Sequence, residues 1–179
     1  MRYLLAFSRA IDGLNARLGT IANWLVLLAC LVSAGNAMFR YAFDLSSNGW
    51  LEVQWYMFAV LVMLGASYTL QRNEHVRVDI IYMGMSTRSQ NWVDLLGGIF
   101  FLLPMCALLG WLSWPYFAQS LAVREVSSNA GGLVRWPIKF IVPFGFFLLF
   151  LQGLSEVVKR IGALKGYVKI EAKYERPKQ

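Results

Sequence analysis

The sequence predicts an all-α integral membrane protein with four transmembrane helices, and with amphipathic interfacial helices at the N-terminus and in one loop. Three observations support this fold class. Hydrophobic residues make up 58% of the 179 residues and charged residues only 15%, whereas soluble domains average roughly 45–50% and about 25%. Four apolar runs are long enough to cross a hydrocarbon core, which needs roughly 20 residues. Lysines and arginines are concentrated in one set of the connecting segments.

The four predicted spans account for most of the chain. Each has an apolar centre, such as the unbroken run from Trp24 to Val32 in the first span. No segment long enough for a soluble domain remains, so residues 1–179 are predicted to form a single membrane domain. The approximate bounds of the spans are residues 18–43, 50–70, 92–121 and 136–158.

The N-terminal segment is predicted to be an amphipathic helix. Its apolar side chains between Leu4 and Ile21 recur at steps of three and four, which is the spacing of one helix face. We therefore interpret residues 1–17 as an interfacial helix that leads into the first span. The alternative is a secretory signal cleaved near residues 35–37, but apolar sequence continues to Phe43.

A second interfacial helix is predicted after the second span. Charged residues are followed there by an apolar stretch that ends at Met85 and is too short to cross a membrane. Asp79 is a candidate to accept hydrogen bonds from the first-turn amides of this helix.

Prolines and glycines predict local features of the later spans. Pro104 and Pro115 are predicted kink points in the long third span. Pro137 suits the first turn of the fourth helix, where its missing N–H has no cost. Four glycines are candidates for close helix approach, namely Gly97, Gly98, Gly110 and Gly145.

The basic residues predict the orientation of the chain. Thirteen of the 17 lysines and arginines lie before the first span, between the second and third, or after the fourth. Because cytoplasmic segments carry the excess of Lys and Arg, both termini are predicted to be cytoplasmic, with residues 159–179 as a basic tail. The net charge of +7 therefore reflects topology, and no nucleic-acid partner is expected. The four basic residues on the other side are Arg40, Arg124, Arg135 and Lys139.

Catalytic and cofactor chemistry has little support in the sequence. Cys30 and Cys106 belong to no Cys-x-x-Cys pair, so a thiol oxidoreductase is not indicated. His75 is the only histidine, which excludes bis-histidine haem ligation by this chain alone and argues against a zinc site. Phosphate-binding loops and nucleophile elbows are absent from the sequence. We predict no catalytic, substrate-binding or metal-binding residues and no cofactor.

Charged residues near the membrane need partners, because charge is costly there. Arg40 and Glu52 flank the short connection between the first two spans. The favoured interpretation is an ion pair that holds these two spans together as a helical hairpin. An ion or proton site is the alternative. Asp94 is predicted to be solvated or to interact with the dipole of its helix. Acidic residues are missing from the centres of the spans, where ion-driven carriers keep their coupling site, so translocation is assigned to a partner.

Several short motifs follow one another along the chain. They are Arg40-Tyr41, Trp50-Leu51-Glu52, Leu64-Gly65-Ala66-Ser67-Tyr68, Glu74-His75-Val76-Arg77-Val78-Asp79 and Arg135-Trp136-Pro137. Their order and spacing resemble the small membrane subunit of tripartite ATP-independent periplasmic (TRAP) transporters. The resemblance covers roughly residues 15–160. It departs from the family at one place, because many relatives have an acidic pair after the tryptophan, whereas Glu52 is followed here by Val53.

The resemblance implies that the chain is a DctQ-like scaffold subunit in the inner membrane of a bacterium. The transporter would be a sodium-coupled symporter that imports an organic acid. A large membrane subunit would carry the substrate and sodium sites, and a periplasmic substrate-binding protein would deliver the substrate. His75, Arg77 and Asp79 are candidates for cytoplasmic contacts with the large subunit or lipid headgroups, and residues 123–135 for contact with the binding protein. Other candidate structural or interface residues are Arg40, Glu52, Glu74, Arg135, Trp136 and Pro137.

Two other functions stay open from the residues alone. One is a cofactor-bearing or redox four-helix membrane subunit, and the other is a self-contained small transporter.

Overall fold

The computed structural model describes residues 2–44, 47–74, 82 and 84–167, and within these residues the chain is a bundle of four long helices. All four are long and apolar enough to cross a membrane, which confirms the predicted fold class. Successive helices run in opposite directions, so α1 begins and α4 ends at the same end of the bundle. The helices are α1 (Arg2–Phe43), α2 (Asn48–Arg72), α3 (Thr87–Ala122) and α4 (Trp136–Leu164).

Helix α1 runs for 42 residues without a break at the predicted junction near residue 17. Its N-terminal part faces the bundle with polar side chains, since Ser8 and Asn15 are only 2% and 0% exposed. Ile11 of the predicted apolar stripe is also buried, whereas Leu4 and Phe7 of that stripe are 51% and 42% exposed. Hydrogen bonds to α4, described below, explain why Ser8 and Asn15 are buried.

Helix α3 begins at Thr87, several residues before the predicted start of the third span. Ser86 caps it, because its Oγ accepts a hydrogen bond from the backbone N–H of Ser89 at 3.3 Å. The predicted cap Asp79 and most of the predicted second interfacial helix lie in residues 75–81, outside the residues that the structure describes.

A π-helical turn at Gly98–Leu102 interrupts the regular α-helical hydrogen bonding of α3. At this turn the N–H of Leu103 donates to the carbonyl of Gly98, five residues earlier. Pro104 follows directly and has no N–H, and its ring would clash with the carbonyl of Phe100 in a regular helix. The wider turn accommodates the proline at the first of the two predicted kink points.

Helix α4 occupies the centre of the bundle and packs against the other three helices. The buried cluster of Ala22, Leu64 and Leu148 joins α1, α2 and α4. Gly145 permits the close approach of α2, because a Cβ at this position would lie 2.7 Å from the Cβ of Met63. The close-approach prediction is thus confirmed for Gly145. Gly97 has no atom of this chain within 4 Å of its Cβ position, so it makes no close approach within the bundle.

We expect Gly145→Ala to destabilise the bundle by about 1–3 kcal/mol, because α2 must move away from α4. Thermal unfolding in mild detergent, followed by tryptophan fluorescence, measures this change. Gly35→Ala is the matched control, since a Cβ there meets no atom within 4 Å. Alanine is the better helix former, so the control should be stabilised by up to about 1 kcal/mol. Equal melting temperatures for the two variants would contradict the close contact.

Candidate functional site

Two clusters of polar side chains hold the bundle together, one at each end. The first, here called the polar network, lies where α1 begins and α4 ends. The second, called the hairpin clasp, lies at the opposite end and ties α2 to the loop between α3 and α4. The polar network consists of Ser8, Asp12, Asn15, Ser67, Gln152, Ser155, Glu156 and Lys159.

The centre of the polar network is a pair of amides that are fully buried. Asn15 Nδ2 donates to Gln152 Oε1 at 2.7 Å, and Ser67 Oγ donates to Asn15 Oδ1 at 3.1 Å. Three residues thus connect α1, α2 and α4. Buried amides are costly without partners, so each of these bonds favours one relative placement of the helices.

A charged rim surrounds these amides. Gln152 Nε2 donates to Asp12 Oδ1 at 2.9 Å and to Glu156 Oε1 at 3.0 Å. The ammonium of Lys159 lies between the same two carboxylates, at 3.2 Å from Asp12 Oδ2 and 2.5 Å from Glu156 Oε1. One lysine therefore neutralises part of the charge of two acids and joins α1 to α4.

Arg160 connects α4 to α3 beside the polar network. Its Nη2 is 2.9 Å from Asp94 Oδ2, and its Nη1 donates to Asn91 Oδ1 at 2.9 Å. The hydroxyl of Tyr82 donates to the same carboxylate oxygen at 2.8 Å. The prediction that Asp94 is solvated or interacts with its helix dipole is therefore wrong. Its side chain is only 15% exposed because it forms this interhelical ion pair.

The hairpin clasp is centred on Glu52, in the first turns of α2, which is 3% exposed. Its Oε1 accepts hydrogen bonds from Ser127 Oγ and, at 2.8 Å, from Asn129 Nδ2. Its Oε2 accepts the backbone N–H of Leu133 at 2.7 Å. A single carboxylate thus satisfies three donors of the loop between α3 and α4 and fixes that loop to α2.

The loop itself is a small β-hairpin. An isolated antiparallel bridge pairs Val126 with Val134. Ser127 N–H donates to the Leu133 carbonyl at 2.9 Å. Gly131 closes the turn with φ of 69°, a conformation that favours glycine. The hairpin therefore presents a defined surface at this end of the bundle.

The predicted ion pair between Arg40 and Glu52 is wrong. Within the described residues Glu52 is bonded to the hairpin, whereas Arg40 is exposed and lines a surface hollow with Asp44 and Gln54. The guanidinium near Glu52 belongs to Arg135, whose Nη2 donates to Ser127 Oγ at 3.4 Å. Proximity in sequence misled the prediction, because Glu52 turns into the bundle while Arg40 points away from it.

An ion pair between Lys139 and Glu125 holds the base of the hairpin to α4. Lys139 Nζ donates to Glu125 Oε2 and lies 4.2 Å from the ring centroid of Tyr116. The hydrogen bond from Lys139 lowers the pKa of Glu125, and the positive charges of Lys139 and Arg135 lower it further. Deprotonated Glu125 therefore favours the folded hairpin.

We expect acid to weaken this contact. A carboxyl whose pKa is lowered by folding contributes stability above its unfolded pKa, and loses it as the pH falls through the folded value. The melting temperature of the wild type should therefore exceed that of Glu125→Gln at pH 7. The difference should begin to shrink near the ordinary pKa of 4.5 and be lost only as the pH falls through the lower folded pKa of Glu125. Glu74→Gln, which removes an exposed carboxylate outside the hairpin, serves as the control at pH 7. A pH-independent difference for Glu125→Gln would contradict the assignment.

The remaining predicted interface residues are only partly described. Glu74 is exposed just after α2, and its N–H donates to the Thr69 carbonyl at 3.1 Å. Trp136 begins α4 and Pro137 lies in its first turn, as predicted. Three candidates for contact with the large subunit or lipid lie outside the described residues, namely His75, Arg77 and Asp79.

The sequence-based search missed the polar network, although a signal was present. On α1, the polar residues Ser8, Asp12 and Asn15 recur at helical spacing. The same spacing relates four polar residues of α4, namely Gln152, Ser155, Glu156 and Lys159. Two polar stripes near the ends of two predicted helices indicate a polar contact between them.

Comparison with known proteins identifies the family. The family model of the DctQ component of tripartite ATP-independent periplasmic transporters matches residues 28–163, which is more than half of the chain. No curated protein and no solved structure matches the chain. The matched residues include the second and third helices and all but the last residue of the fourth, together with Glu52 and the hairpin that it holds. The chain therefore belongs to the DctQ family, the small membrane component of TRAP transporters.

Proposed function

We propose that this chain is the small scaffold subunit of a sodium-coupled TRAP transporter that imports an organic acid. Its family associates with a large membrane subunit and a substrate-binding protein. The scaffold role is supported by the buried polar side chains, because they connect separate segments of the bundle. Glu52, Asn15 and Gln152 all connect one segment of the bundle to another. The sodium and substrate sites belong, in this proposal, to the large subunit.

The orientation follows from the basic residues. In the sequence, thirteen of the 17 lysines and arginines lie before the first predicted span, between the second and third, or after the fourth. The polar network lies where α1 begins and α4 ends, next to two of these segments, so we assign it to the cytoplasmic side of a bacterial inner membrane. Both termini are then cytoplasmic, and the hairpin clasp is periplasmic. In this orientation the hairpin formed by residues 123–135 faces the substrate-binding protein.

Reconstituted transport tests the proposal. This chain, the large membrane subunit of its transporter and the secreted binding protein are purified, and the membrane components are placed in liposomes. We expect uptake of a labelled carboxylate only when all three proteins and an inward sodium gradient are present. Liposomes that contain this chain alone are the control and should show none.

Two results would contradict the proposal. One is sodium-dependent uptake by this chain alone, which would make it a self-contained carrier. The other is full uptake by the large subunit and the binding protein in its absence, which would remove the need for a scaffold.

A further inference from the structure

Helices α1 and α2 share an outward surface that carries polar side chains within the first two predicted spans. On α1 these include Asn23, Ser33 and Arg40, all of which are exposed. On α2, Gln54 is partly exposed beside them. Within the described residues none of these four side chains has a hydrogen bond or an ion pair. The surface, here called the α1–α2 face, consists of Asn23, Ser33, Ala37 and Arg40 on α1 with Gln54, Val62 and Gly65 on α2.

This surface is unsuited to lipid. Asn23 and Ser33 lie inside the first predicted span, where hydrocarbon offers no partner for an amide or a hydroxyl. Arg40 lies about one turn from the end of α1 and adds a positive charge. Asp44, on the same hollow, forms no ion pair with Arg40 within the described part of the chain. A neighbouring membrane protein can satisfy these groups, whereas acyl chains cannot.

The outward face of α3 has the opposite character. Through the middle of the helix its exposed side chains are large and apolar, with Phe101 and Trp111 77% and 78% exposed. Ser113, beside them, already donates its hydroxyl to the Gly110 carbonyl at 3.0 Å. These apolar side chains are suited to contact with the acyl chains of lipids. The chain therefore has two chemically distinct sides.

Resting on the proposed function, we infer that the α1–α2 face binds the large membrane subunit, while the aromatic face of α3 faces lipid. The occupant is a transmembrane helix of that subunit with a carboxylate opposite Arg40 and hydrogen-bonding side chains opposite Asn23 and Gln54. Ala37 and Gly65 leave room for a helix to approach closely. A hollow of about 580 Å³ between Arg40 and Gln54 receives its side chains. A cleft of about 970 Å³, lined by Asn23 and Val62 and on its far side by α3 and α4, receives others.

Photo-crosslinking within the membrane complex tests this assignment. We replace Ala37 with p-benzoylphenylalanine, co-express the tagged chain with the large membrane subunit of its transporter, and illuminate intact membranes. The matched control carries the same group at Leu112, which is 59% exposed on α3 and also lies in the half of the bundle nearer the hairpin. We expect a crosslink to the large subunit from position 37 and none from position 112.

A charge reversal provides an independent readout. Arg40→Glu should lower the recovery of the large subunit with the tagged chain about tenfold or more, because it places like charges together. Arg124→Glu, an exposed arginine at the same end, should leave recovery unchanged. Unfolding temperatures of the two purified variants show whether either has lost its fold.

The outcomes separate this inference from the proposed function. If the unmodified chain recovers no large subunit, the proposed function fails. If it recovers the large subunit but position 112 crosslinks and position 37 does not, the face is wrong and the function stands. The assignment is also overturned if the crosslinked product from position 37 has twice the mass of this chain, or if position 37 gives no crosslinked product.

Discussion

Replacing Glu52 with alanine is expected to release the α3–α4 hairpin and to lower the melting temperature by about 8–12 °C. The carboxylate accepts from Ser127, Asn129 and the backbone of Leu133, so its removal leaves three donors without their partner. Such donors are expensive to leave unsatisfied when they are withdrawn from water. The effect is larger than the loss of one hydrogen bond because a single residue serves all three.

Tryptophan fluorescence during heating in mild detergent measures the stability of this variant, and limited trypsin digestion measures the hairpin directly. Cleavage after Arg124 and Arg135 should be faster in Glu52→Ala than in the wild type. Glu74→Ala, which removes an exposed acid at the other end of α2, is the control and should change neither measurement. Glu52→Gln should fall between the two, since it keeps an acceptor oxygen but loses the charge. Unchanged digestion and melting in Glu52→Ala would show that the hairpin is held by other contacts.

Glu52→Ala also distinguishes an effect on assembly with the large subunit from an effect on transport. Glu52 and the hairpin lie on the side of α2 that is turned into the bundle, away from the proposed α1–α2 face, so Glu52→Ala should still recover the large subunit. Under the proposed orientation its uptake activity with the binding protein should fall. Loss of the large subunit instead would place the hairpin in the membrane-subunit interface.

Hydropathy and charge sufficed to predict the four helices, because a chain in a bilayer must satisfy its backbone internally and spanning helices have a minimum length. Local steric rules were equally informative. Pro137 was placed correctly in a first turn, and Gly145 was recognised as a site of close approach. Such properties depend on a residue and its immediate neighbours, which the sequence contains.

Partners across the fold could not be predicted in this way. Arg40 was the nearest opposite charge to Glu52 in the chain, yet the donors to Glu52 come from 75 to 81 residues later. Which side of α2 Glu52 occupies depends on how α4 places the hairpin. That placement depends in turn on contacts such as Gly145 against Met63, and no local pattern encodes it.

Replacing Gln152 with leucine is expected to destabilise the bundle by about 2–4 kcal/mol. Gln152 is fully buried and bonds to Asn15, Asp12 and Glu156, so the change removes a donor and an acceptor from three partners. The Nδ2 of Asn15 is then buried without its acceptor, which costs about 1–3 kcal/mol. Individual hydrogen bonds between membrane helices average only about 0.6 kcal/mol, so most of the loss is due to the groups left unsatisfied.

A double-mutant cycle distinguishes that penalty from ordinary loss of packing. If the unsatisfied amide dominates, Asn15→Leu with Gln152→Leu should be less destabilised than the sum of the two single variants, by about 1 kcal/mol or more. Asn23→Leu is the matched control, because it makes the same amide-to-leucine change at an exposed residue. It should leave the stability of the isolated subunit nearly unchanged. Strict additivity of Asn15→Leu and Gln152→Leu would mean that the two amides stabilise the bundle independently, and the polar network would then not act as one unit.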